Sequence, residues 1–81
     1  MPYVVYILRC ADGTLYTGIA KNIKSRLREH NTAPRGARYT RGRRPVRLVY
    51  RENAGNRSSA LKREAAIKRM PREKKLALLA R

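Results

Sequence analysis

The stretch YVVYILRC, residues 3–10, constrains the fold of this chain more than any other. It is short, apolar and rich in β-branched residues, which reads as a strand buried on both faces. The turn residues Ala11-Asp12-Gly13 follow, and TLYTGI, residues 14–19, reads as a second strand that makes a hairpin with the first. Asn22 is the expected N-cap of a helix over 23–31, with Ile23 and Leu27 four apart as its inward stripe. From Thr32 to Arg44 the chain carries Pro, two Gly and five Arg, the composition of a loop of high positive charge. PVRLVYRE, residues 45–52, alternates as a third strand, with Pro45 at its start where a missing N–H does no harm. NAGNR turns the chain, and Ser58 or Ser59 opens a helix that runs to Arg69. Pro71 suits the first turn of a last helix, with Glu73 near its positive end and Leu76 and Leu79 facing in. The predicted fold class is α+β in the order ββαβαα, a three-stranded, mostly antiparallel sheet flanked by helices. Residues 1–81 read as a single domain, near the size at which one core is only just sufficient.

The hairpin register decides which face each tyrosine occupies. A two-residue Asp12-Gly13 loop puts Tyr6 and Tyr16 on opposite faces, whereas a three-residue Ala11-Asp12-Gly13 loop puts them on the same face. Gly13 suits the left-handed last position of the longer loop, and Asp-Gly is also a good signal for the shorter one. In the three-residue register Tyr6 lies opposite Gly18, which leaves space beside a phenol, useful for a ligand. Arg26 and His30 are four apart and share a helix face that Ile23 and Leu27 flank. Glu64 has Ala60, Leu61, Ala65 and Ile67 among its helical neighbours and sits nearer the buried side than Lys62 or Arg63.

Composition narrows the class of partner. There are 21 Lys and Arg against 5 Asp and Glu, a formal net charge of +16 on 81 residues. Such a field favours polyanions, because each neutralised phosphate releases condensed counterions. The rival is a membrane surface, but no segment joins a wide apolar face to Trp or Phe anchors. Nucleic acid is the expected partner, with DNA favoured over RNA, and the oligomeric state is not legible. In RGARYTRGRR, residues 35–44, Tyr39 offers a base-stacking surface, with Arg35, Arg38, Arg41, Arg43 and Arg44 as phosphate contacts around it. Cys10 alone excludes an internal disulfide and a Cys-rich zinc site, and reads as a small core residue. No apolar run is long enough to span a bilayer and there is no signal-peptide pattern, so a cytoplasmic location is expected.

These residues carry a family resemblance. VVY (4–6) and YTG (16–18), ten residues from Tyr to Tyr, resemble the two halves of the GIY-YIG nuclease signature, with Val4 and Val5 in place of the first Gly and Ile. Arg26, eight residues after Gly18, and His30, four further on, match the family's next motif. LKREAAIK (61–68) puts Glu64 where the family keeps its metal-binding acid. The match covers almost the whole chain and is most similar to the small single-domain branch with no attached DNA-targeting domain.

The resemblance implies an endonuclease that hydrolyses phosphodiester bonds in structured or single-stranded DNA with one divalent metal, a chemistry at home in DNA repair or recombination. Glu64 would hold Mg²⁺ or Mn²⁺ through hard oxygen contacts. Arg26 would bind the scissile phosphate and neutralise charge developing on it. Tyr6 would act as base or water-orienting group, its phenol needing nearby cations or the metal to depress it below the ordinary pKa of about 10, a direction in which the positive field of the chain acts. Tyr16 and His30 would orient water and phosphate, with His30 a rival base. Gly18 would lie against the nucleic acid. Two departures stand against this: Ile19 occupies a position where many members carry Lys, and MPREKKLALLAR lacks the Asn that many carry beyond the metal helix. They leave a second class open, a non-catalytic basic module that binds nucleic acid through a degenerate nuclease site.

Overall fold

A computed structural model describes residues 2–32 and 42–80. Strands β1 (Tyr3–Arg9) and β2 (Leu15–Ala20) lead into helix α1 (Ile23–Thr32). Strand β3 (Arg47–Gly55) is followed by helices α2 (Arg57–Arg69) and α3 (Arg72–Leu79), so the order ββαβαα holds. The sheet order is β2-β1-β3 and both pairings are antiparallel. The apolar run therefore becomes the central strand, and period two sends its residues to two cores. Val4, Tyr6 and Leu8 pack with Cys10, Ile23 and Val46 on the α1 side. Val5 and Ile7 pack with Ala60, Ile67 and Leu78 beneath α2 and α3.

The hairpin takes the three-residue loop. Leu8 pairs with Tyr16 and Tyr6 with Gly18, while Gly13 at φ +86° occupies the left-handed region. Asp12 Oδ1 accepts from the Thr14 amide (3.1 Å) and hydroxyl (2.6 Å), and Arg43 Nε donates to Asp12 Oδ2 at 2.9 Å. Asn22 caps α1 as expected, its Oδ1 accepting from the Ser25 amide at 3.0 Å. At the other end of α1 the Asn31 amide imitates a strand partner. It accepts from Val46 N at 2.7 Å and donates to Val46 O at 3.0 Å, tying the helix to the approach of β3.

Three boundaries depart from expectation. β3 starts at Arg47, with Pro45 ahead of it, and runs through Asn53-Ala54-Gly55, which had read as turn residues. The start of β1 recruits them: Val4 pairs with Asn53 and Tyr3 with Gly55, a register shift absorbing the extra residue. Asn56 rather than Ser58 or Ser59 caps α2, its side chain accepting from Ser59 N at 2.8 Å. In α3 it is Leu78 that is buried, with Leu79 packed beside it, while Leu76 is 37% exposed. The half-buried Lys75 lies one turn before Leu78, so the inward face of this short helix is phased away from Leu76.

Candidate active site

Tyr6 stands at the centre of β1 on the α1 side, with Gly18 opposite it on β2 and Arg51 opposite it on β3. A Cβ built on Gly18 would lie 2.6 Å from the Tyr6 oxygen, 2.7 Å from its Cζ and 3.1 Å from Tyr16 Cε2. The space left by this glycine is thus filled by the two phenols, and the expectation that it stays open beside Tyr6 for a ligand is corrected. Tyr6 and Tyr16 are on the same side of the sheet, with ring centroids 6.5 Å apart. His30, in the last turn of α1, meets both rings edge-on, at 6.0 Å from Tyr6 and 5.1 Å from Tyr16.

The inner members of this cluster are sealed. Tyr6 is 1% exposed and His30 0%, and the phenol oxygen lies 2.9 Å from His30 Nε2. Arg26 and Glu64 are half-buried and so face outward as well as inward. Sharing a helix face therefore did not give Arg26 and His30 equal access to solvent. Arg26, one turn earlier in α1, keeps its side chain 39% exposed, while His30 is covered.

Burial pushes the Tyr6 phenol up to about 12; the Arg26 hydrogen bond and charge pull it down, and the charges of Tyr16 and Glu64 push it further up. The chain's own cations do not give the expected depression, because desolvation of the phenolate outweighs the Arg26 guanidinium close to it. Burial also lowers the His30 imidazole, assisted by the charges of Arg26 and Arg44 and opposed by Glu29. Both groups are therefore neutral near pH 7. The Arg26 guanidinium lies close enough to the phenol to favour its ionised form, though not enough to offset burial. Tyr6 Oη and His30 Nε2 thus form a buried neutral pair beside Arg26, in which the imidazole tautomer decides which of the two donates. Arg26 Nη1 donates to Glu29 Oε2 at 3.0 Å.

Glu64, on α2, lies 3.6 Å from Lys68 Nζ, with its side chain 19% exposed. Its charge acts on the Tyr6 phenol although α2 covers the opposite core. Among the described residues no three His, Cys, Asp or Glu side chains form a group able to hold a metal. Glu64 stands as a single carboxylate at the edge of the cluster. A neighbouring clasp sets the rotation of α2: Arg63 Nε donates to both Glu52 oxygens at 3.0 and 3.1 Å, and Tyr50 Oη donates to Glu52 Oε1 at 2.9 Å.

The structure thus brings together Tyr6, Tyr16, Gly18, Arg26, His30 and Glu64. Arg35, Arg38, Tyr39 and Arg41 lie outside the described residues. Arg43 is engaged with Asp12 at the hairpin, and Arg44 Nε donates to the His30 carbonyl. Sequence reasoning missed the exposed Arg51, which the β1–β3 register alone places opposite Tyr6, and a groove beside Arg26 where β2 hands over to α1. Of the groove residues not already singled out, Glu29 carried a signal, its spacing of three from Arg26.

Residues 2–77 match the model of the GIY-YIG catalytic domain. A UPF0213 protein of Desulfotalea psychrophila is 58% identical over 77 residues, covering 95% of this chain and 70% of the relative. A UPF0213 protein of Syntrophus aciditrophicus is 56% identical over 75 residues, covering 93% and 86%. The solution NMR structure of a UPF0213 protein from Bacillus halodurans superposes with a TM-score of 0.62 at 39% identity, covering 99% of this chain and 84% of that one. With a tyrosine pair, an arginine, a histidine and an acid gathered on the fold those proteins share, the chain belongs to the GIY-YIG family, a nuclease-type family, and is similar throughout to its UPF0213 members.

Proposed function

We propose that this protein is a metal-dependent endonuclease that hydrolyses phosphodiester bonds in DNA, working as one domain in the cytoplasm. The observation that carries the reading is the convergence of Arg26, Tyr6 and His30 with the charge of Glu64, in a chain of net charge +16. Binding alone requires none of these in fixed geometry. The match to the GIY-YIG catalytic domain makes nucleic acid the polyanion this field serves.

The donor set fits Mg²⁺ or Mn²⁺. Such ions keep several waters and take one or two carboxylates plus substrate phosphates, so the lone Glu64 suffices as the protein ligand. The ion, when bound, supplies Lewis-acid stabilisation of charge on the phosphoryl oxygens. Arg26 holds the scissile phosphate through its donor fork, exchanging its exposed contact with Glu29 for the phosphate oxygens. A phenol raised to about 12 is a poor base alone. As Tyr6 takes a proton from water its own proton passes to His30 Nε2, so no free phenolate forms; the hydroxide bonds to phosphorus, the opposite P–O bond to the sugar breaks, and the departing sugar oxygen takes a proton from solvent water. Tyr16, packed on both rings, keeps them aligned.

Glu64→Gln tests the reading. It removes the carboxylate charge while keeping size. The variant should melt within a few degrees of the parent, bind DNA equally or slightly better, and lose Mg²⁺-dependent cleavage by at least about a hundredfold. Cleavage unchanged per folded molecule, with a lowered melting temperature, would make Glu64 half of a structural ion pair. The enclosure of Tyr6, together with Ile19 where many members carry Lys, favours the second reading, a binding module without catalysis. That reading stands if the parent cleaves neither structured nor single-stranded DNA with either metal.

A further inference from the structure

Beside Arg26 lies a groove of about 360 Å³, lined by Tyr3, Lys21, Asn22, Ser25, Arg26 and Glu29. It opens where β2 ends and α1 begins, and Arg26 belongs both to it and to the cluster around Tyr6. Its volume is at the small end of ligand pockets, about 300–1,000 Å³, and suits one nucleotide rather than a duplex. Two cations face one carboxylate, and that carboxylate is already paired with Arg26. Lys21 Nζ lies 5.5 Å from the centroid of the Tyr3 ring, above its face.

We propose that this groove seats the nucleotide next to the phosphate held by Arg26, with Lys21 taking its phosphate and the Tyr3 ring stacking its base. The inference rests on the proposed function only in taking Arg26 as the neighbouring phosphate contact. Lys21 has two alternative partners. In the free protein it covers the aromatic face, a weak contact at an exposed site. When a strand enters, the ammonium moves to the phosphate and releases the ring, and a base stacked on an aromatic face is the stronger contact. A base inside a duplex is covered on both faces by its neighbours and cannot use the ring. The groove therefore selects DNA that is unpaired at this nucleotide.

The experiment is fluorescence anisotropy in EDTA with a labelled oligothymidylate and a blunt-ended duplex of equal length. Tyr3→Leu should weaken the single strand about tenfold and the duplex less than about twofold, and Tyr3→Phe should bind both as the parent does. Lys21→Gln should weaken the single strand and reduce the slope of log affinity against log salt by about 0.7. Equal losses on strand and duplex, or parental affinity and slope in both Tyr3→Leu and Lys21→Gln, would overturn the proposal. Should Tyr3→Leu fail to fold by circular dichroism, the exposed Lys21→Gln decides alone through its slope. No step here uses metal or cleavage, so a parent that does not cut would sink the nuclease reading and leave this result standing.

Discussion

The two faces of β1 are equally dry and chemically opposite. Beneath α2 and α3, Val5 and Ile7 meet the aliphatic Ala60, Ile67 and Leu78, with Thr17 opposite Ile7 as the one buried polar side chain among the described residues of this face. On the α1 side, Tyr6 and His30 are just as buried, yet each brings polar atoms into the core. Among the described residues no buried side-chain nitrogen or oxygen lacks a partner, so the polar face is closed by pairing rather than by exclusion. The difference teaches that burial does not mark a site here. What marks it is that the groups enclosed on one face are able to exchange protons and those on the other are not.

The largest separation between the faces should come from the aliphatic one. Ile67→Ala removes a fully buried side chain from that core and should cost about 2–5 kcal/mol in urea denaturation. Cleavage per folded molecule should stay near that of the parent. A loss of cleavage larger than the loss of folded protein would mean that the two faces are coupled through Glu64 on the same helix.

A smaller effect is expected on the polar face. Gly18→Ala drives a methyl group against the Tyr6 ring and should cost about 1–3 kcal/mol, because the enclosed Tyr6 phenol has little room to withdraw. In a Tyr6→Leu background the same change should cost less, by at least about 0.5 kcal/mol of coupling. Strictly additive costs would show that the close approach of residues 6 and 18 is not what makes this position glycine.

The smallest effect is a pH slope. His30 is lowered by burial from an ordinary 6.5, so the unfolded chain binds the proton more readily than the native one. Stability from this group is complete above pH 6.5 and declines as pH falls toward the native value, at up to about 1.4 kcal/mol per pH unit. Denaturation midpoints should fall between pH ~7 and pH ~5 in the parent and fall less in His30→Gln. An equal decline in both would assign the slope to other groups.

Much of this was legible in the chain. Element order, the central strand and the Asn22 cap rest on local pattern, and the Gly13 turn gave the correct of two registers once paired with the fold. What failed needed tertiary context. Asn53 and Gly55 are turn residues by composition, but the first residues of β1 were available to pair with them. Leu76 and Leu78 are equivalent by type, and only the angle at which α3 meets the sheet separates them. The Tyr6 phenol was expected to be depressed because charge is countable in a sequence and desolvation is not. The groove beside Arg26 was invisible for a related reason: it is a gap between elements, and no residue in it is unusual alone.

One consequence concerns the order of assembly. Tyr6, Tyr16, Gly18, Arg26 and His30 all fall within the first thirty residues, joined by a tight hairpin and one helix, whereas Glu64 arrives on α2 after β3 has paired. Short-range pairing closes small loops and forms early, while β3 must return across a long separation to reach β1. On a ribosome, then, the tyrosine, arginine and histidine part of the candidate site emerges and pairs before Glu64 has been synthesised. The nascent protein acquires its positive groove before the carboxylate, and any capacity to cut waits for the last helices to close over the aliphatic face.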